Sequence, residues 1–170
     1  MGNRTIVIWG AGRIGRGFVA DLFQAAGYRI VFVDESVELV EQLRRAGQYT
    51  VVRVPGTAQR EDITIAGYTA LATSEPERVA VEVVAADLMA VAVYPVQFQA
   101  VAGDLAQCLL RRRDERPDVA LDILLCTNLM HPAPQFRRAL EQAVGPEAHD
   151  YLQSQIGIVE ALVIRIAPDA

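Results

Sequence analysis

The sequence predicts a doubly wound α/β fold built on a mostly parallel sheet. Three observations carry that prediction. Short, continuous apolar runs recur along the chain, as expected of strands buried on both faces of a sheet. They alternate with stretches whose apolar residues repeat every three or four positions, the spacing of amphipathic helices. A glycine-rich turn, "WGAGRIGRGF" at 9–18, joins the first strand to the first helix.

Thr5 to Trp9 reads as the first buried strand. After the glycines, Ile14, Phe18, Leu22 and Ala26 recur every four residues, joined by Val19 and Phe23, and Gly27 stops that helix. Arg29 to Asp34 is the second strand; Ser36 caps a helix through Arg45, and Gly47 closes it. Residues 48–73 change character. Tyr49 to Val54, Asp62 to Ile65 and Tyr68 to Ala72 read as antiparallel hairpins inserted beside the parallel sheet. Helix and strand alternation then resumes: a helix from Glu75 to Ala85, a strand at Leu88 to Val93, and a helix from Val96 to Arg112. A strand at Leu121 to Cys126 and a helix from Ala133 to Val144 come next. Pro146 starts a further helix that Gly157 ends, and Ala161 to Ile166 is the last strand. The string "RRRDERPD" (111–118) reads as a solvated helix end, with arginines facing the negative end of the helix dipole.

At 170 residues the chain suits one domain with a sizeable core. A formal charge of −5 argues against nucleic acid or an anionic membrane as a partner, and Asp87 interrupts the longest apolar run. Cys108 and Cys126 are too few for a disulfide framework and lack metal spacing, so reduced thiols in a cytoplasmic protein, with no metal site, are expected. All 16 basic residues are arginine. No lysine of this chain can therefore act as a base, form a Schiff base or hold a phosphate.

Gly10, Gly12 and Gly15 fit G-x-G-x-x-G, with Gly17 two further on. Gly10 permits the tight turn after Trp9, Gly12 leaves room for a pyrophosphate, and Gly15 lets the helix pack close to the sheet. With Ala11 between them, and the N–H groups near Arg13 and Ile14 at the helix start, the turn is a candidate diphosphate cradle. Glycine turns also serve plain strand–helix packing, so the spacing alone is weak. Asp34 adds to it. It lies 19 residues beyond Gly15 at the end of the second strand, near the ~20-residue spacing of a carboxylate that binds the adenosine ribose. Such an acid repels a 2′-phosphate, which favours NAD over NADP; the competing reading is a turn residue before Ser36. Methyltransferases that use S-adenosylmethionine share a glycine turn followed by an acid. The Tyr-x-x-x-Lys dyad of short-chain dehydrogenases is impossible without lysine.

"GAGRIGRGF" together with "VAVYPVQFQAVAGDLA", "ILLCTNLMHP" and "GIVEALVIRIAP" resembles the N-terminal Rossmann domain of the polyol-specific long-chain, or mannitol, dehydrogenases. The landmarks occur in the family's order and cover nearly the whole chain. The resemblance implies that residues 1–170 form an NAD-binding domain serving hydride transfer between a polyol, or a polyol or sugar phosphate, and NAD, without a metal. It also implies that the family's lysine base sits in a helical C-terminal domain absent from this chain, which leaves the isolated domain inactive. Asn128, in Cys-x-Asn-Leu-x-His, would by that resemblance donate to the substrate oxygen that develops charge; its sequence alone favours a turn asparagine. Val93 would run past the cofactor. An isolated domain exposes the surface that meets its companion, so a homodimer through that patch is a further expectation.

Three positions depart from the family pattern: Thr127 replaces an acid before Asn128, Ile164 replaces the aspartate of "Val-Asp-Arg-Ile", and Tyr94 replaces a glycine before Pro95. Tyr94 would reshape or partly fill the cofactor pocket. These changes motivate the alternative of a diverged NAD(H)-sensing module without catalysis. Of the remaining residues, His131 reads as loop or packing, Cys126 as core and His149 as helix surface. Glu160 reads either as proton-handling or as a plain strand-edge carboxylate.

Overall fold

The computed structural model describes residues 4–54 and 59–163. Its order in the chain is β1 (Thr5–Trp9), α1 (Ala20–Ala25), β2 (Arg29–Asp34), α2 (Val37–Ala46), β3 (Gln48–Arg53), β4 (Glu61–Ala66), β5 (Thr69–Ala72) and α3 (Pro76–Ala85). Next come β6 (Leu88–Val91), α4 (Phe98–Glu115), β7 (Leu121–Leu125), α5 (Ala133–Val144), α6 (His149–Gln155) and β8 (Ile156–Glu160). Six strands form one sheet in the order β5-β2-β1-β6-β7-β8, and every neighbouring pair is parallel. β3 and β4 pair antiparallel as a separate ribbon. The doubly wound α/β fold is thus present, with a small antiparallel insertion.

β1 is the hub. Val7 lies beside Val31 of β2 and Met89 of β6, and Ile6, Val7 and Ile8 are fully buried. Burial of such side chains stabilises by about 1.5–3 kcal/mol each. One core lies between the sheet and α3, α4, α5 and α6, around Phe98, Leu105 and Phe136. The other lies beneath α1, α2 and the ribbon, around Phe32, Leu43 and Ile65. Strand order reverses at β1, between β2 and β6. That is the switch point beyond whose carboxyl ends α/β sheets open a crevice.

Four details correct the reading from sequence. First, β5 is not part of an antiparallel hairpin: it pairs in parallel with β2, Val31 beside Thr69 through Asp34 beside Ala72. Gly67, at φ +69°, turns the chain out of the ribbon and into the main sheet. Second, Gly157 does not end a helix; it lies inside β8, where a Cβ would come within 2.0 Å of Asp122 Oδ1 on β7. The last described strand is therefore Ile156–Glu160, and the expected run through Ile166 lies partly outside the described residues.

Third, the helix after the glycines opens with a π-turn, Gly15–Val19, closed by the Ala20 N–H on the Gly15 carbonyl. One extra residue in that turn rotates the rest of the helix about its axis. Val19, Ala20 and Asp21 face inward, while Leu22 is 43% exposed. Buried Asp21 pairs with Arg53 of β3, Oδ2 to Nε at 2.8 Å, which ties the ribbon to the helix. Fourth, "RRRDERPD" is only partly solvated. Arg112 is fully buried and donates to the carbonyls of Val83, Val84 and Ala86 at the end of α3, and to those of Val119 and Ala120 before β7. Among the described residues no helix is long and apolar enough to cross a membrane.

Candidate functional site

The crevice opens where the sheet order predicts it. Gly10 leaves β1 at φ +97° and donates its N–H to the Val33 carbonyl at 2.8 Å. A Cβ there would lie 2.6 Å from the Ala92 carbonyl oxygen after β6. Gly15 packs directly on the turn, and its Cβ would meet the Gly10 carbonyl oxygen at 2.0 Å. Gly12 is different: a Cβ added to it meets nothing within 4 Å. Two glycines thus close the turn on itself, and the third keeps a space open above it.

The Arg16 N–H bonds the Gly12 carbonyl at 2.9 Å, which starts the helix and sets its N-terminal end at the cleft floor. Asp34, at the end of β2, stands beside the turn. Its Oδ2 accepts the Ala11 N–H at 2.7 Å and its Oδ1 accepts the Ser36 N–H at 2.9 Å. The carboxylate is fixed by backbone on both sides, and each oxygen keeps a second acceptor site. Ser36 in turn caps α2 by accepting the Leu39 N–H, so turn, acid and helix start form one rigid unit.

A cleft of about 570 Å³ runs over this unit. Gly10, Gly12, Arg13, Ile14, Asp34, Val93 and Asn128 all line it, so the structure brings these candidates together. Ala11 is buried behind the turn, with its N–H bonded to Asp34, and Gly15 lies beneath it. Tyr94 borders the mouth and is 79% exposed. Asn128 comes after β7, at the opposite end from Asp34.

The other titratable candidates fall outside this chemistry. Burial pushes the thiols of Cys108 and Cys126 up to about 11, leaving both protonated and unreactive at neutral pH. Glu160 Oε1 accepts the Ala133 N–H at 3.0 Å and so caps α5; its Oε2 lies 3.6 Å from His131 Nδ1. His131 adopts φ +52°, a turn conformation. His149 Nε2 meets the Glu141 carbonyl at 3.0 Å. Among the described residues no group of His, Cys, Asp and Glu could hold a metal ion.

Among the lining residues that sequence reasoning missed are Trp9, Thr73, Gln97 and Asp104. Trp9 closes the floor beside α3, and Thr73 sits just after β5. Gln97 donates to Glu35 Oε1 at 3.0 Å and accepts the Tyr94 N–H at 3.2 Å, joining the two walls across the cleft. Asp104 sits on α4. Gly103, Asp104, Gln107 and Arg111 of that helix line a second cavity beside α3, and a polar outer face on an amphipathic helix gives no sequence signal that marks them.

The arrangement can hold a diphosphate above Gly12, a diol at Asp34 and a polar carbonyl or hydroxyl near Asn128. Residues 4–170 match the model of the mannitol dehydrogenase Rossmann domain. The chain is 31% identical over 162 residues to mannitol-1-phosphate 5-dehydrogenase of Bacillus pumilus, covering 94% of this chain and 42% of the relative. With mannitol-1-phosphate 5-dehydrogenase of Aureobasidium melanogenum it shares 27% identity over 169 residues, covering 99% and 43%. The chain thus spans less than half the length of these relatives. Its fold is similar to that of Pseudomonas fluorescens mannitol 2-dehydrogenase, solved as a ternary complex with NAD and D-mannitol. The TM-score is 0.74 at 17% identity, over 91% of this chain and 40% of that one. The chain belongs to the mannitol dehydrogenase family, whose Rossmann domain it matches along nearly its whole length.

Proposed function

We propose that this chain is the NAD-binding half of an oxidoreductase that moves a hydride between a polyol, or a polyol phosphate, and NAD. The observation that carries the reading is Asp34, held by the Ala11 and Ser36 N–H groups at the rim of the glycine turn. A carboxylate so placed accepts both ribose hydroxyls and repels a 2′-phosphate, which selects NAD over NADP. The helix start at Gly12 to Ile14 receives the diphosphate. When bound, the nicotinamide accepts or supplies the hydride. Asn128, at the far end of the cleft, donates a hydrogen bond to the substrate oxygen that gains or loses charge in that step.

The proton of the substrate hydroxyl needs a base, and in this family the base is a lysine. This chain has none among its 16 basic residues, so the base comes from outside these 170 residues. The chain alone therefore binds cofactor without turning over. Exposed Met130, Val159 and Leu162 beside the Asn128 end of the cleft offer apolar surface for a companion domain.

Titration calorimetry with NAD and NADP, on the wild-type chain and on Asp34→Ala, tests the reading. Wild type binds NAD and discriminates against NADP, and Asp34→Ala weakens NAD and narrows the difference. Absence of NAD binding sinks the cofactor assignment; a preference for NADP sinks the role of Asp34. The missing base also fits a second reading, a dinucleotide-sensing module that signals through a partner. A reading frame continuing into a helical domain with lysine, asparagine and histidine supports the dehydrogenase, and a stop codon after Ala170 supports the sensor.

A further inference from the structure

We propose that Asp104 of α4 reads the exocyclic amino group of the cofactor's adenine, which makes this site selective for adenine over hypoxanthine. The inference rests on the NAD reading above and deepens it. With the ribose at Asp34 and the diphosphate above Gly12, the base attached to that ribose lies at the Asp34 end of the cleft, away from Asn128. The walls there are Glu35, Thr73, Gln97, Val101 and Asp104.

The polar groups at this end differ in what they can still do. Gln97 is engaged on both sides of its amide, donating to Glu35 and accepting the Tyr94 N–H. Thr73 offers a hydroxyl, which both donates and accepts and so cannot tell an amino group from a carbonyl. Asp104 is different. Among the described residues its carboxylate takes no hydrogen bond and no ion pair; its backbone carbonyl alone is used, by the Cys108 thiol at 3.6 Å. Partial burial and the charge of Glu35 raise its pKa, and neither influence comes from a donor.

Glu35 is engaged by Gln97 through Oε1, whereas the position of Asp104 gives its unengaged carboxylate a direction. Asp104 lines both the cofactor cleft and a second cavity of about 410 Å³ between α3 and α4, and these meet at Trp9, Thr73 and Asp104. A base entering from the ribose side therefore presents its far edge to this junction. An ionised carboxylate only accepts, so facing the 6-position of the base, on the side away from N1, it favours the amino group of adenine and repels the carbonyl oxygen of hypoxanthine.

Trp9, the only tryptophan, lines both cavities and reports occupancy by energy transfer to a reduced nicotinamide. The test titrates the chain with NADH and with reduced nicotinamide hypoxanthine dinucleotide, which share that optical signal. Wild type, Asp104→Asn and Asp104→Ala are compared, each checked for folding by circular dichroism. Wild type is expected to prefer NADH by about tenfold, the size of one charge-assisted hydrogen bond at a partly solvated site. Asp104→Asn brings the ratio near unity, because its amide donates to the hypoxanthine carbonyl, and Asp104→Ala lowers the ratio by weakening NADH. A wild type that does not discriminate, or a preference unchanged in both variants while NADH still binds, overturns the proposal. A wild type that binds neither dinucleotide overturns the cofactor reading beneath it.

Discussion

Gly12 and Gly15 lie three residues apart in one motif, and the structure assigns them opposite kinds of work. An alanine at Gly15 would put its Cβ 2.0 Å from the Gly10 carbonyl oxygen, a backbone atom of the turn itself. Relief requires a shift of more than about 1 Å between the turn and the helix, against a core in which Val19 and Ala20 are buried. Overpacking of this kind costs about 1–3 kcal/mol, and the backbone partner puts Gly15→Ala at the upper end. For a domain of this size that lowers Tm by roughly 5–10 °C. At Gly12 the Cβ meets nothing within 4 Å, so Gly12→Ala leaves Tm within about 3 °C of wild type. The methyl group instead occupies the space above the turn, where the diphosphate must approach the backbone. Its cost falls on binding, with NADH affinity reduced at least about tenfold, or about 1.4 kcal/mol. Thermal unfolding by circular dichroism and NADH titration through Trp9 read the two effects separately. An unaltered melt in Gly15→Ala, or undiminished NADH affinity in Gly12→Ala, refutes the division of labour.

Arg112→Leu strands carbonyls of Val83, Val84, Ala86, Val119 and Ala120 in a buried site, and is expected to destabilise by about 3–5 kcal/mol in chemical denaturation. A loss under about 1 kcal/mol refutes the buried staple. Glu75 accepts the Ala72 N–H and pairs with Arg44 and Arg78, which hold its pKa at about 2 against 4.5. Its folded pKa lies below its unfolded one, so its contribution is full above about pH 5 and is lost as pH falls towards 2. Glu75→Gln should therefore be less stable than wild type at pH 7, with the difference shrinking over that range; a constant difference contradicts it. With both thiols pushed up to about 11 by burial, Cys108 and Cys126 resist iodoacetamide at pH 7.5 in the folded chain and react once it is unfolded. Rapid native labelling of either, read by mass spectrometry, contradicts the burial argument.

The unit from β1 to Asp34 was legible because its signals are local. An apolar run, three spaced glycines, a capping serine and an acid all lie within one strand–helix–strand span, and each acts on its near neighbours. The features that were not legible depend on distant partners. β5 is four residues long and comes just after Gly67, so locally it resembles the return strand of a hairpin; only β2, over thirty residues earlier, makes it a parallel strand of the main sheet. Gly157 resembles a helix stop because the reason for it, Asp122, lies across the sheet. The π-turn after Gly15 leaves no periodic mark of its own, and one added residue moves Leu22 outward and Asp21 inward. In the site, Asp34 and Asn128 stand at strand ends, where α/β sheets bind ligands. Asp104 escaped because it lies on α4, whose apolar pattern accounts for its fold without it, and Gln97 because it lies in the short turn Pro95–Gln97 that leads into that helix. Arg112 escaped for a related reason: among three consecutive arginines, only packing distinguishes the buried one.

The central claim is that one cleft holds a dinucleotide, with its diphosphate over Gly12 and its ribose at Asp34. Amide chemical-shift mapping of the chain with saturating NAD tests this most directly. The account predicts the largest shifts at Gly12, Arg13 and Ile14, and at Asp34 and Glu35. Smaller shifts should reach Val93 and Asn128, and the β3–β4 ribbon should stay silent. No shifts at saturating NAD, or shifts centred on the ribbon with the glycine turn unmoved, would contradict it.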